Sequence, residues 1–223
     1  MPHIIHTVPR PDPQIVAALG KLGTATIHEA QGQSGALAHT IRPIFAGMKC
    51  CGPACTVKSH GGDNLMLHKA IAVAQPGDVI MHDGEDWFES NVWGEIMTTG
   101  AMARGIAGLV TSGVVRDTEA IHAKGFPVFS QGVSMKWCTK AALGTINHPI
   151  IVAGVAINPG DIIVGDDDGV VVIPLARAAE VLEKSLAREE KERVMMAQLK
   201  QGKTTVELLG LDKLLAGMGL TEE

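Results

Sequence analysis

Apolar residues recur along this chain in two rhythms, one helical and one of short β-prone runs. Leu65, Leu67, Ala70, Ile71 and Ala74 follow one another at roughly helical spacing, after a Gly61-Gly62 break and an Asp63 suited to cap the turn. Asp12-Pro13 makes a cap and first helical position for Gln14 to Leu22, and Thr24 is placed to cap a second short helix through Glu29. From Met48 to Ser59, the residues Cys51, Ala54, Cys55, Thr56 and Val57 predict a strand region interrupted by Gly52-Pro53. Two near copies of a turn and strand stand apart in the chain: Pro76-Gly77-Asp78-Val79-Ile80, ending at His82-Asp83-Gly84, and Pro159-Gly160-Asp161-Ile162-Ile163, ending at Gly165-Asp166-Asp167-Asp168-Gly169. The second continues into Val170-Val171-Val172-Ile173-Pro174 across Asp168-Gly169, a hairpin signal. The acidic triplet reads as that turn rather than as a calcium loop, because no downstream Glu completes an EF-hand.

Between the two copies the pattern predicts helix 94–104, strand 107–115, helix 117–124, strand 127–130 and strands near 141–147 and 150–157. Helices interleaved with short strands predict a layered α/β domain with some antiparallel pairing. Residues Ala176 to Gln201 form one long charged amphipathic helix, followed by the apolar tail Thr205-Val206-Glu207-Leu208-Leu209-Gly210-Leu211. We therefore expect an α/β domain over 1–175 and a helical extension over 176–223 that packs on a neighbouring subunit.

The chain has 223 residues, enough for one sizeable core. A net charge of −5 with both signs mixed argues against nucleic acid as a direct partner. Aromatic content is 3% with no Tyr, so stacking on bases or sugar rings is not expected, and the substrate is read as small, polar and acidic. Cysteines at 50, 51, 55 and 138 fit neither a disulfide framework nor a zinc knuckle and read as reduced. No secretory leader and no run near the ~18 apolar residues of a membrane span is evident, which predicts a cytoplasmic protein without a membrane partner.

Candidate chemistry concentrates between residues 94 and 117. Gly94-Glu95-Ile96-Met97 opens a helix whose first N–H groups suit an anion, and Arg116-Asp117 at a strand end offers a fixed cation beside a metal-ready carboxylate. For a pyruvate-like oxoacid, Ile96 and Met97 N–H groups form the carboxylate clamp, Arg116 stabilises the enolate oxygen, and Asp117 holds Mg²⁺ or Mn²⁺, with Glu95 reaching the ion through water. The competing inventory is thin. Lys58 is the one lysine in strand-like apolar surroundings that suggests a Schiff base, while His60, His68, His82 and His122 lack zinc-ligand spacing. His28, near the end of its helix, reads as structural, and Trp87 and Trp93 as core or interface residues.

With these pieces in order, the chain resembles the metal-dependent pyruvate aldolases that cleave 4-hydroxy-4-methyl-2-oxoglutarate and 4-carboxy-4-hydroxy-2-oxoadipate, a family shared with regulators of ribonuclease activity. The residues that carry the resemblance are Thr26 to Gly32, Gly62-Asp63-Asn64, Pro76-Gly77-Asp78, Gly94 to Met97, Gly113 to Asp117, and Pro159-Gly160-Asp161 through Pro174, within a match from about residue 14 to 200. The resemblance implies a swivelling β/β/α layered fold, assembled as a homotrimer or homohexamer with sites at subunit interfaces. It implies a class II lyase of aromatic-compound breakdown, with oxaloacetate decarboxylase side activity. In it Asp117 ligates Mg²⁺, Arg116 contacts the pyruvyl oxygen, residues 94–97 bind the pyruvyl carboxylate, and Glu95 is a water-mediated metal partner. It also implies an acidic residue from a neighbour's C-terminal helix, placed at Glu192, with Glu189 and Glu190 as rivals. The alternative implied by the same family is a non-catalytic regulator that binds a ribonuclease.

Overall fold

A computed structural model describes residues 1 and 3–221. Strand β1 (His3–Ile4) is followed by α1 (Pro13–Leu19), α2 (Thr24–Ala30), β2 (Arg42–Pro43), β3 (Cys50–Lys58), α3 (Leu65–Val73) and β4 (Val79–Asp83). Then come β5 (Asn91–Trp93), α4 (Glu95–Ala103), β6 (Gly108–Thr111), β7 (Val114–Val115), α5 (Thr118–Lys124), β8 (Val128–Ser130) and β9 (Thr145–Ile146). The chain ends with β10 (Ile150–Val152), β11 (Val155–Ile157), β12 (Ile162–Asp166), β13 (Gly169–Ile173), α6 (Ala178–Lys200), α7 (Thr205–Leu209) and α8 (Leu211–Gly217).

The sheet's centre runs β3-β4-β6-β8 in parallel, and the helices α3, α4 and α5 make the crossovers. Those strands are buried along nearly their whole length, so they read as continuous apolar runs rather than alternating ones. A second apolar cluster joins Leu19, Leu22, Ile27, Ile162, Val171 and Val181, where α1, α2 and the start of α6 cover the β12–β13 hairpin. The architecture is the layered α/β arrangement expected.

Several local expectations are corrected. Gly52-Pro53 does not interrupt β3. Its first half pairs antiparallel with β12 and its second half parallel with β4, and Pro53, which has no N–H to give, sits at the changeover. Gly52 is there for space, since a Cβ would lie 2.0 Å from the Gly77 carbonyl oxygen. The expected strand 107–115 is two strands broken at Ser112-Gly113, the segment 150–157 is a hairpin, and only Thr145–Ile146 of 141–147 is strand. The β12–β13 turn is one residue earlier than read, with Asp166 pairing Gly169 across Asp167-Asp168. Thr24 is the first residue of α2, not its cap; its N–H and hydroxyl both donate to Asp166, at 2.9 and 2.6 Å. Trp93 is fully buried, but Trp87 is 45% exposed.

The two Pro-Gly-Asp copies share one device. Asp78 accepts the Gln75 N–H and Asp161 accepts the Asn158 N–H, each at 2.8 Å, so each aspartate closes the turn that launches its strand. The four cysteines are free, and burial pushes the Cys51 thiol up to about 11. Helix α6 rests its first turns, through Ala178, Val181 and Ser185, on this chain's own α1 and α2, whereas Val194 and Met196 further along are exposed. No helix among the described residues is long and apolar enough to cross a membrane.

At the end of β4, His82 is fully buried between the Ser59 hydroxyl, 2.7 Å from Nε2, and the Thr111 hydroxyl, 2.8 Å from Nδ1. Burial drops its pKa from 6.5 to about 4, against a smaller opposing pull from Asp83. Below pH 6.5 the unfolded chain takes up a proton that the folded chain refuses until about pH 4, so stability is lost as pH falls through that window. We expect His82 to account for a loss of about 3 kcal/mol across it. Urea midpoints at pH 7 and pH 5 should separate widely in the wild type and less in His82→Gln; an equal separation in both would rule the assignment out.

Candidate active site

Two short parallel strands, β5 and β7, end side by side, with Trp93 in register with Val115. Each is followed at once by a helix, so the starts of α4 and α5 meet at the carboxyl ends of the pair, where α/β folds place ligands. Arg116 donates its backbone N–H to the Trp93 carbonyl at 2.9 Å, which fixes the two ends together.

Asp117 is the cap position of α5 but does not use its carboxylate there. Its backbone is left-handed, at φ 55° and ψ 36°, a conformation that costs a non-glycine residue about 1–2 kcal/mol. The turn swings the carboxylate across to α4, where Oδ2 accepts the Glu95 N–H at 3.0 Å and faces Arg116 Nε at 3.3 Å. The strain places one aspartate's carboxylate on a neighbouring helix rather than its own, a kind of backbone outlier that recurs at functional sites. Gly94 makes the arrangement possible. A Cβ there would lie 2.5 Å from Asp117 Oδ2 and 3.2 Å from Arg116 Cγ, so any larger residue would push the pair apart.

A cleft of ≈150 Å³ opens over this junction, with Gly94, Ile96, Met97, Arg116 and Asp117 on one wall. The Ile96 and Met97 N–H groups, in the first turn of α4, have no acceptor within their own helix and are open to an anion. Glu95 ion-pairs with Lys124 of α5 at 3.2 Å. A second wall carries Asn64 and His68 at the start of α3 and Trp137, Cys138 and Lys140 from the chain after β8, and it meets the first where Asn64 Nδ2 lies 3.4 Å from Met97 Sδ. The sequence marks Asn64 within Gly62-Asp63-Asn64 and offers His68 only as a spacing-deficient zinc candidate, without placing either in the site. Trp137 and Lys140 belong to a stretch without periodicity and give no such signal. Burial and the nearby Lys140 charge both lower the His68 pKa, so the imidazole presents itself neutral beside that lysine.

The remaining candidates are placed elsewhere. Lys58 is half exposed and ion-paired with Asp83 at 3.1 Å, the opposite of the dry setting a Schiff-base lysine needs. His28 Nδ1 donates to the Ser34 carbonyl at 3.0 Å, and His60 pairs with Glu85. Glu192 lies on α6, 2.9 Å from Arg188 Nε, and Arg188 also contacts Glu29 of α2; Glu190 is paired with Arg193, and Glu189 is exposed. No residue of α6 lines the cleft of its own chain. Among the described residues no three His, Cys, Asp or Glu side chains gather around a metal-sized space, so a closed cage of protein ligands is not built here.

A family model described as RraA-like, Aldolase/RraA, matches residues 24–172, which include both walls of the cleft. A provisionally named 4-hydroxy-4-methyl-2-oxoglutarate aldolase of Halalkalibacterium halodurans is 40% identical over 166 residues, 74% of this chain and 79% of that one. An uncharacterized Pseudomonas syringae pv. tomato protein superposes with a TM-score of 0.79 at 30% identity, covering 88% of this chain and 97% of the other. Streptomyces coelicolor RraAS2, described as an unusual member of the RNase ES inhibitor RraA protein family, superposes at 0.76 with 26% identity over 85% and 99% of the two chains. The strand-to-helix junction at Gly94 and Arg116-Asp117 thus sits within a match spanning most of the fold, and the chain belongs to the RraA-like, Aldolase/RraA, family.

Proposed function

We propose that the protein is a divalent-metal-dependent lyase that cleaves a 4-hydroxy-2-oxo di- or tricarboxylic acid to pyruvate and a second oxoacid. Cleavage of 4-carboxy-4-hydroxy-2-oxoadipate to pyruvate and oxaloacetate, with oxaloacetate decarboxylation as a side activity, fits a cleft that holds Arg116 beside Asp117 and Lys140 on its second wall. The observation that carries the reading is Gly94 yielding its side-chain space to Asp117 and Arg116. The aldolase name of the 40% identical relative supports it.

The donor set suits Mg²⁺ or Mn²⁺. Such ions bind through one or two protein carboxylates and take the rest of their shell from waters and ligand. Asp117 supplies that carboxylate, held in place through Oδ2 by the Glu95 N–H. Bound there, the ion would polarise the oxoacid's keto group. The chain's own groups do the rest. The Ile96 and Met97 N–H groups hold the pyruvyl carboxylate, aided by the positive end of α4. The Arg116 guanidinium, with Nε turned to Asp117, keeps its outer N–H groups for the oxygen that gains charge when the C–C bond opens.

The hydroxyl proton that must leave needs a base, and among the described residues the cleft of one chain is lined by no carboxylate besides Asp117. A glutamate from α6 of a second copy, Glu192 ahead of Glu189 and Glu190, fills that role in a homotrimer or homohexamer. Glu192→Gln is then expected to keep fold and assembly while cutting turnover by about 100-fold, the lower range of general base catalysis. Mixing it with Asp117→Asn should regenerate a fraction of intact sites. Full activity of Glu192→Gln, or no recovery on mixing, would assign α6 to packing alone. The reading as a whole is tested by pyruvate release from oxaloacetate and from 4-carboxy-4-hydroxy-2-oxoadipate, with and without EDTA. A ribonuclease-inhibition assay run beside it tests the other reading, which the Streptomyces coelicolor neighbour favours.

A further inference from the structure

The second wall of the cleft is assembled from two pieces of chain far apart in sequence. Asn64 and His68 come from the start of α3, and Trp137, Cys138 and Lys140 from a strap that follows β8. Residues 134–144 form no helix or strand, apart from a single bridge of Thr139 to Asp63. Backbone bonds tie it at a few points only: Thr139 donates to Gly62 and accepts from Asn64, Lys136 accepts from Asn91, and Ser134 donates to Val115.

One carboxylate adds four more bonds at the joint with α3. Asp63 is 1% exposed and stands behind the wall rather than on its surface. Its Oδ2 accepts the Thr139 hydroxyl at 2.8 Å, the Ala141 N–H at 2.6 Å and the Ala142 N–H at 3.1 Å. Its Oδ1 accepts the Leu65 N–H at 2.9 Å, so the same group fastens the first turn of α3. Burial alone would raise the Asp63 pKa, but the donors from Ala141, Leu65, Thr139 and Ala142 outweigh it and keep the carboxylate ionised. Four bonds to one charged acceptor are each stronger than neutral ones. They converge on the joint between the two parts of the wall.

We propose that Asp63 is a positioning residue that pins the 137–142 strap to α3, and so sets the distal half of the cleft that receives the second oxoacid. The proposal rests on the oxoacid-cleaving reading above. The strap is tied to β5 and β7 at Lys136 and Ser134, outside the 139–142 segment that Asp63 holds, so the clamp is expected to govern which leaving oxoacid is accepted more than the bond-breaking chemistry. A simple structural staple would lower activity toward every substrate alike.

Asp63→Asn puts an amide N–H where Oδ2 or Oδ1 now accepts, and at least one strap or helix bond is lost. Hydrogen exchange at the Ala141 and Ala142 amides reads the clamp without any substrate: in Asp63→Asn both should exchange faster. Kinetics read the consequence. We expect KM for 4-carboxy-4-hydroxy-2-oxoadipate to rise roughly tenfold, the scale of one lost charged hydrogen bond. Turnover of the smaller oxaloacetate should stay close to the wild type. Thr139→Val removes one donor and should move exchange and KM in the same direction by less, and it carries the test if Asp63→Asn does not fold. Unchanged exchange in the variants, or a proportionate fall for both substrates, overturns the proposal. If the wild-type protein cleaves neither substrate, the lyase reading falls, while exchange still decides whether Asp63 holds the strap.

Discussion

Asp117→Asn is expected to abolish pyruvate release while leaving the fold intact. Asparagine tolerates the left-handed backbone that residue 117 adopts, and its carbonyl still accepts the Glu95 N–H, so the junction of α4 and α5 survives. What is removed is the negative charge. A cation bound through a single protein carboxylate loses its anchor, and with it several kcal/mol of stabilisation of the developing charge, or at least about 100-fold in turnover. EDTA should silence the wild type to the same degree, and added Mg²⁺ or Mn²⁺ should restore the wild type but not the variant. The informative pair of measurements is turnover against metal concentration for both proteins, with circular dichroism to show that both are folded. Wild-type activity that persists in EDTA, or a variant that turns over normally, would end the metal reading.

Much of this site was legible before any coordinates because its chemistry sits at element ends that leave a local signature. A glycine before a helix and an Arg-Asp pair closing an apolar run announce themselves in sequence, and both lie where expected, at Gly94 and Arg116-Asp117. Their proximity was not legible. It depends on the Trp93 to Val115 register, and on the backbone of Asp117 turning left-handed so that its carboxylate serves the other helix. The distal wall was invisible for a different reason. Trp137, Cys138 and Lys140 belong to a strap without periodicity, fixed by a buried aspartate more than seventy positions away, and no window along the chain contains both. The misread strand at Gly52-Pro53 has the same origin. Local rules read Gly-Pro as a break, whereas long-range pairing turns it into the point where one strand changes partners. Elements that satisfy themselves locally are readable; those defined by what approaches from elsewhere are not.

Replacing Arg116 by alanine is expected to lower kcat by roughly 100-fold or more, the scale of losing one donor to an oxyanion. The argument starts from position. Its backbone is tied to Trp93 at 2.9 Å and its Nε is turned toward Asp117 at 3.3 Å, so the guanidinium is aimed before any ligand arrives. A group fixed in advance costs little to reorganise when charge develops, and that makes its effect fall on the transition state rather than on binding. Arg116→Lys should recover little, because an ammonium on a flexible stem cannot keep one N–H on Asp117 and offer a planar pair to the substrate. The side chain is 41% exposed, so its removal should leave the melting temperature nearly unchanged, and lost activity cannot be laid to unfolding. Steady-state kinetics with oxaloacetate decide the point. A fall in kcat at similar KM places Arg116 on the developing enolate, whereas a raised KM with kcat intact would make it a binding residue only and move the catalytic charge stabilisation elsewhere in the cleft.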